Sequence, residues 1–405
     1  MMNEKSIALI GAGKLGKGYL ADLFQKAGYD IIFMARRQEQ INNLRDNGCY
    51  HVFLEHENGA EPEVVVYSGY EAWCTTGPER ENCVQVLAQV PLASVQVYDN
   101  GFEAIGHLLG DAIALRAQQG AGPLDILLVV NYPGPHITFD TYIRQRLSTP
   151  EQIAYYEKNV GLVRTLAYRG GYAAPDWLLA KDPEAITASD YPELPVDGEA
   201  FRGEMPQVEG IIPLDNIDAR LKAKLWAGNM RGGVMACLAQ TKGYTMAQEA
   251  NEDAHVKAFC KACYEEAVYG ILNKFHMTYE DFQKSERKVM PLLPGMEMRL
   301  STDTLARQMN GLARKLGRQE RLVGPAMTCL EMGRIPFFLA KAIALAFGFR
   351  NDGDPTSAEI LGYVEKYGVR EAAQKYCGLS AEEPLEAQLL ELICAHYWDL
   401  QMAKR

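Results

Sequence analysis

At 405 residues the chain is too long for one ordinary hydrophobic core and about right for two domains. Hydrophobic residues make up 48% and charged residues 23%, a soluble globular balance. The net charge of -11 argues against a general nucleic-acid or membrane-surface binder, because phosphates would be repelled on average.

The start, Met1-Met2-Asn3-Glu4-Lys5, has no apolar stretch of signal length, so no targeting peptide is expected. No apolar run reaches the roughly 18 residues of a membrane span. Residues 335–349, IPFFLAKAIALAFGF, come closest, but the run is short and Lys341 interrupts it. Nine cysteines are few and odd in number, which predicts a reducing, cytoplasmic setting without a disulfide framework.

Residues 5–37, KSIALIGAGKLGKGYLADLFQKAGYDIIFMARR, carry the first motif. Ile7 to Ile10 is a continuous apolar run, as in a central parallel strand covered on both faces. Gly11, Gly13 and Gly16 follow as GxGxxG, then apolar residues at helical spacing, then a second strand over Ile31 to Met34. That order predicts one βαβ unit that binds a dinucleotide. Gly11 permits the tight turn, Gly13 lets a pyrophosphate approach the backbone, and Gly16 lets the helix pack close to the strand. The free N–H groups of the first turn and the helix dipole would hold the phosphates.

The second strand ends Met34-Ala35-Arg36-Arg37. An NAD site usually places Asp or Glu there for the ribose 2′-OH. An alanine followed by two arginines instead suits a 2′-phosphate. The expected cofactor is therefore NADP, with NAD as the alternative. The expected contacts are Gly11, Gly13, Lys14, Leu15, Gly16, Arg36, Arg37 and Asn100.

Further strands are predicted at 63–69, 94–101 and 125–134, with a helix over 102–118, giving a doubly wound parallel sheet. Asp99, Asn100, Gly101, Asn131 and Tyr132 should then cluster at the carboxyl ends of the strands. Residues 160–215 are irregular and rich in Pro, Gly and Asp, and are expected to form the interdomain connection. Beyond about 215 the pattern is helical. Val256, Phe259, Cys260, Cys263, Val268, Ile271 and Leu272 form one apolar face, which makes the CxxC at 260–263 two packing residues and no metal site. Thr356 with Glu359, and Ser380 with Glu383, predict capping boxes. The basic run Arg307, Arg314, Lys315, Arg318 and Arg321 is expected to be a solvated helix face, with a contact to substrate phosphate as the alternative.

A dinucleotide domain followed by a helical one suggests hydride transfer, which needs a base for the alcohol proton and donors for the developing alkoxide. Residues 219–233, ARLKAKLWAGNMRGG, offer Lys224 and Asn229. Five residues apart, they would lie about 140° apart on a continuous helix. A break near Gly228 would bring them together.

The stretches IGAGKLGKGYL, GPLDILLVVNYPG, NVGLVRTLAYRGG, EAFRGEMPQVEG, ARLKAKLWAGN and LARKLGRQERLVGPAMTCLEMG, spread over residues 5 to about 347, together resemble the polyol-specific long-chain dehydrogenase/reductases, the mannitol dehydrogenase family. The resemblance implies a Rossmann domain over 1–208 and a mostly α-helical substrate and catalytic domain over 209–405. It also implies metal-free, NAD(P)-dependent interconversion of a sugar alcohol, its phosphate or a related hydroxy acid with the keto form. Lys224 would be the general base, and Asn131 and Asn229 the oxyanion donors. The expected partner is a small polyol, ketose or sugar phosphate, with no nucleic acid or membrane. The oligomeric state stays open.

This sequence departs from the family pattern at four positions. The family histidine eight residues after the lysine is Gly232. The acidic residue before Arg169 is Tyr168, the one before Asn131 is Val130, and the NAD-favouring Asp is Ala35. The alternative expectation is therefore a cofactor-binding protein of the same fold that has lost polyol dehydrogenase activity. His136 is a candidate to line the cleft, and no histidine cluster suggests a metal.

Overall fold

The computed structural model describes residues 3, 5–132, 134–284 and 303–403. It divides into two compact units, Met1–Ile217 and Asp218–Arg405.

The first unit is built on a six-stranded sheet of order β5-β2-β1-β6-β7-β8, with every pairing parallel. The strands are β1 (Ser6–Ile10), β2 (Asp30–Ala35), β5 (Tyr70–Cys74), β6 (Leu92–Val95), β7 (Leu124–Leu128) and β8 (Val160–Arg164). Successive side chains of a strand point to opposite faces. Ile7 and Leu9 of β1 accordingly join one buried cluster with Phe33, while Ala8 and Ile10 join another with Ile32 and Met34. Apolar packing on both faces explains why Ile7–Ile10 of β1 reads as an unbroken apolar run, while β6 and β7 bury Ser94 and Asp125 within theirs. The register pairs Ile10 with Met34 and Val95, and Val95 with Leu128. Four strands thus end level, which is where an open α/β sheet binds its ligand.

A second sheet, β4-β3-β10-β9, uses β3 (Cys49–Glu55), β4 (Glu63–Ser68), β9 (Gly171–Ala173) and β10 (Ile186–Ser189). Three expectations are corrected here. The strand expected over 94–101 is β6 at Leu92–Val95, and Asp99–Gly101 form a one-turn helix. The strand at 63–69 belongs to the second sheet, antiparallel to β3, and not to the main one. Residues 160–215 are not an irregular connection. They supply β8, β9, β10 and the pair β11 (Leu194–Asp197) and β12 (Ile211–Leu214). Their Pro and Gly punctuate short strands, a pattern that looks like a linker when read locally.

The second unit is made of helices. The helix Ala254–Lys274 buries Val256, Phe259, Cys263, Ala267 and Ile271, and belongs to a core shared with the helices Asn229–Thr241, Val323–Glu331, Phe337–Ala346 and Pro384–Met402. Both expected capping boxes are displaced. The first helix in question starts at Pro355, capped by Asp354, whose carboxylate accepts from Thr356 N at 3.0 Å and also from Gly311 N and Leu312 N. The second starts at Pro384, with Glu383 making no side-chain cap. A proline suits the first helical position because its missing N–H is unpaired there anyway, and it fixes both starts. Among the described residues, no helix is long and apolar enough to cross a membrane.

Candidate functional site

In the first unit, the chain leaves β1 through Gly11 at φ +118°, and the Gly11 N–H donates to Met34 O at 2.7 Å. A Cβ on Gly11 would lie 2.6 Å from Gln96 O, and one on Gly16 would lie 2.2 Å from Gly11 O. Around Gly13 a Cβ would meet nothing within 4 Å. The outer glycines are therefore required by the protein itself. The middle one faces open space, and that space fits a pyrophosphate resting on the backbone. Lys14 and Leu15 begin the helical run, with Lys14 exposed. The run then widens into a π-turn over Gly16–Leu20, where Ala21 N–H reaches back to Gly16 O.

Several residues that hold this turn carried no signal in the sequence, apart from Arg169, which the family resemblance marks. Gln96, just beyond β6, donates its side-chain amide to Gly11 O at 3.0 Å. Gln40 donates to Ala12 O at 2.8 Å. Lys17 is 2% exposed and pairs with Glu184 at 2.6 Å; burial lowers its pKa against the pull of Glu184. Arg169 sits at 4% exposure. It donates to Gly18 O at 2.8 Å, Asp22 Oδ2 at 2.7 Å and Tyr191 O at 2.9 Å, and its guanidinium lies 4.8 Å from the centre of the Tyr19 ring. Burial works to raise the Asp22 pKa, but Arg169, Lys26 and Tyr67 hold it below the ordinary value. Arg169 is thus a clamp on the glycine turn.

The other expected cofactor residues sit at neighbouring strand ends. Arg36 and Arg37 follow β2, are exposed, and make no ion pair among the described residues. Ala35, where a carboxylate would select NAD, is buried opposite Cys74. Asn100 is exposed in a one-turn helix before Phe102–Gln119, and exposed Asn131 follows β7. His136 lies in the helix Pro135–Arg144, whereas His51 and His56 bond Asp182 and Asp190, each at 2.9 Å.

In the second unit, Lys224 and Asn229 bracket a second π-turn, Lys224–Gly228, in which Asn229 N–H bonds Lys224 O. A turn that closes on the fifth residue stacks positions five apart, where an α-helix would separate them. The two residues share one side of the helix through a widened turn, and the helix continues without a break. Trp226 anchors it from within: its indole N–H donates to Gln319 O at 3.0 Å, and a Cβ on Gly324 would lie 2.4 Å from that nitrogen. Lys224 is only partly exposed, and burial lowers its ammonium pKa to about 8.

At Gly232 the space of a side chain is taken. Gln308 Oε1 lies 2.3 Å from where a Cβ would stand, and the Gln308 amide donates to Asp303 at 2.6 Å. The basic run is only in part a solvated face, with Arg307 and Arg314 exposed. Lys315 and Arg321 are buried, Arg314 and Arg321 pair with Glu320, Arg318 with Glu386, and Arg307 with Asp303. Desolvation and the neighbouring guanidinium groups lower the Lys315 pKa to about 7. Each arginine of the run thus has a carboxylate partner.

The model of the mannitol dehydrogenase Rossmann domain matches residues 5–210. Among solved structures, mannitol 2-dehydrogenase of Pseudomonas fluorescens, in ternary complex with NAD and D-mannitol, is similar at 14% identity with a TM-score of 0.71; the match covers 98% of this chain and 92% of that one. A substrate-free D-sorbitol dehydrogenase also matches at 14% identity and TM-score 0.71, over 96% and 92% of the two chains. Likeness at this identity bears on the fold.

Proposed function

The chain belongs to the mannitol dehydrogenase family, and on that premise we propose that this dehydrogenase interconverts a sugar alcohol, its phosphate or a related hydroxy acid with the keto form. The observation that carries the reading is the π-turn. It stacks the Asn229 position over Lys224, whose pKa of about 8 leaves a usable fraction of neutral amine near neutral pH.

Lys224 Nζ takes the hydroxyl proton, and the side-chain amides of Asn131 and Asn229 donate to the oxygen as its charge develops. A nicotinamide dinucleotide, when bound, supplies the hydride acceptor. The glycine turn holds its pyrophosphate on backbone N–H groups, and Arg36 and Arg37 favour NADP by pairing with a 2′-phosphate. The reading assigns no metal a role.

The test is purified protein with NADPH and NADH against a panel of ketoses, sugar acids and their phosphates. Turnover on at least one member, lowered by roughly a hundredfold or more in Lys224→Ala, is expected for loss of a general base. A second reading, cofactor binding without turnover, is favoured by Gly232 and Tyr168 standing where the family has histidine and an acidic residue. Tight cofactor binding with no turnover across the panel would establish it instead.

A further inference from the structure

The glycine turn and the arginine pair lie on separate segments, and one buried carboxylate bonds residues of both. Glu184, 6% exposed, stands just before β10. Its Oε2 accepts from Lys17 Nζ at 2.6 Å and from Gln40 Nε2 at 2.8 Å, and its Oε1 accepts from Asn43 Nδ2 at 3.4 Å. Lys17 also donates to the Glu184 carbonyl at 2.5 Å. Gln40 and Asn43 fall at i and i+3 of the helix Gln38–Asn47, so they meet Glu184 from one side of it. Arg37 is the N-cap of that helix and Arg36 precedes it. Where the helix sits therefore decides where the arginines sit.

The Gln40 amide is the link between the two segments. Its nitrogen carries two N–H groups. It donates to Ala12 O, between Gly11 and Gly13, and to Glu184 Oε2, each at 2.8 Å. Both donors are thus spent, on a side chain that is buried. The charges are coupled as well. Burial lowers the Lys17 pKa most and Arg37 lowers it further, while Glu184 raises it. Glu184 thus offsets a repulsion between a buried ammonium and the arginine segment.

A dinucleotide phosphate has its pyrophosphate and its 2′-phosphate at a spacing set by its own bonds. A site reads both only when its two anchors match that spacing, to within about 0.5 Å for a preorganised contact. We infer that Glu184, acting through Gln40, is a positioning residue that sets the distance between the glycine turn and the Arg36–Arg37 pair, and with it the preference for a 2′-phosphate. The inference rests on the NADP reading above. Glu184 takes no part in moving the hydride or the proton.

The test is calorimetry on the full chain with NADPH, NADH and 2′-AMP, a probe that carries the 2′-phosphate and no pyrophosphate. In the parent, NADPH should bind at least roughly tenfold more tightly than NADH, as one guanidinium–phosphate contact allows. Equal affinities there sink the NADP reading and this inference with it. Two double variants of equal charge follow, because a buried lysine without its carboxylate would destabilise the fold. Lys17→Met with Glu184→Leu leaves Gln40 no acceptor at 184. The NADPH preference should vanish in it, while 2′-AMP binds as before because a single phosphate spans no spacing. Lys17→Met with Glu184→Gln keeps an amide oxygen for Gln40 and should keep the preference. Gln40→Met should match the leucine variant and decides the matter if that variant does not fold, with Tm reporting on each. A preference that survives when the Gln40 bond is removed, 2′-AMP binding lost in step with NADPH, or equal loss in the leucine and glutamine variants overturns this inference and leaves the NADP reading standing.

Discussion

In the proposed reaction Lys224 is the base, and its lowered pKa has a definite sign. The neutral amine is the base, so kcat/KM for alcohol oxidation should rise with pH and level off above about 8, while ketone reduction should fall over the same range. The same shift disfavours the folded state below that pH, because the unfolded chain binds the proton more readily. Lys224→Met should therefore raise Tm at pH 7 while removing turnover, and thermal scans against rate assays check both. Among the positions proposed to bind the cofactor, Arg36→Ala should weaken NADPH by roughly tenfold and leave NADH unchanged, as expected for one lost guanidinium–phosphate contact; equal loss for both would refute the 2′-phosphate role. The glycines separate in a similar way. Gly13→Ala should fold as the parent does and lose dinucleotide binding, since its Cβ enters open space, whereas Gly16→Ala should also lower Tm, because its Cβ meets Gly11 O. Fluorescence titration beside a melting curve distinguishes them. Glycine spacing was legible from sequence because only one residue type meets these steric demands. Gln96 and Gln40 were not, since a glutamine that clamps a distant loop looks like any other until the chain is folded, and Arg169 was marked only through the family resemblance.

The two π-turns are the elements that sequence periodicity handles worst. An inserted residue leaves the apolar pattern intact on either side, so 219–233 reads as a helix with Lys224 and Asn229 on different sides. The suspicion of a break near Gly228 located the irregularity but not its form. Trp226 holds that turn against Gly324, and Gly324→Ala should push the indole out and destabilise the protein by about 1–3 kcal/mol, the usual cost of overpacking. The lysine should move with it. Shifts in both Tm and the pH midpoint of the reaction, with NADPH affinity unchanged, are expected; an unaltered pH profile would show that the turn is held by something else. Core strands β1, β2 and β7 were legible because burial on both faces leaves a mostly apolar run, whereas the strand expected over 94–101 lies at Leu92–Val95. In the second sheet β4 was legible, but β9 and β10 were not, because three or four residues carry too little pattern to separate from a loop. The helix starts slipped for a simpler reason: Ser and Thr a few residues before Glu satisfy the capping-box template, but Pro355 and Pro384 decide where the backbone can begin to coil.

Each unit has its own buried cluster, with the main sheet packed on both faces in one and the helices around Ala254–Lys274 in the other. A dinucleotide held by the glycine turn stabilises only the unit that binds it, by mass action. Calorimetric unfolding should therefore resolve two transitions, of which saturating NADPH raises one. A single transition that moves as a whole would mean that the units melt together. The division into a sheet unit and a helical unit was readable from the change in hydrophobic period near residue 215. The partnership of residues 49–68 with 171–189 was not, because nothing local announces a pairing between strands more than a hundred positions apart. That pairing bears on how the protein is made. Lys17 waits for Glu184, Gly18 for Arg169 and for Ile186, whose methyl would lie 2.5 Å from a Cβ there. A nascent chain that has emerged only as far as β8 already carries every glycine of the motif, yet has an unneutralised ammonium beneath it and no lid on the turn. The nucleotide site should thus become competent late in synthesis, when the tenth strand is translated, long after its own sequence has left the ribosome.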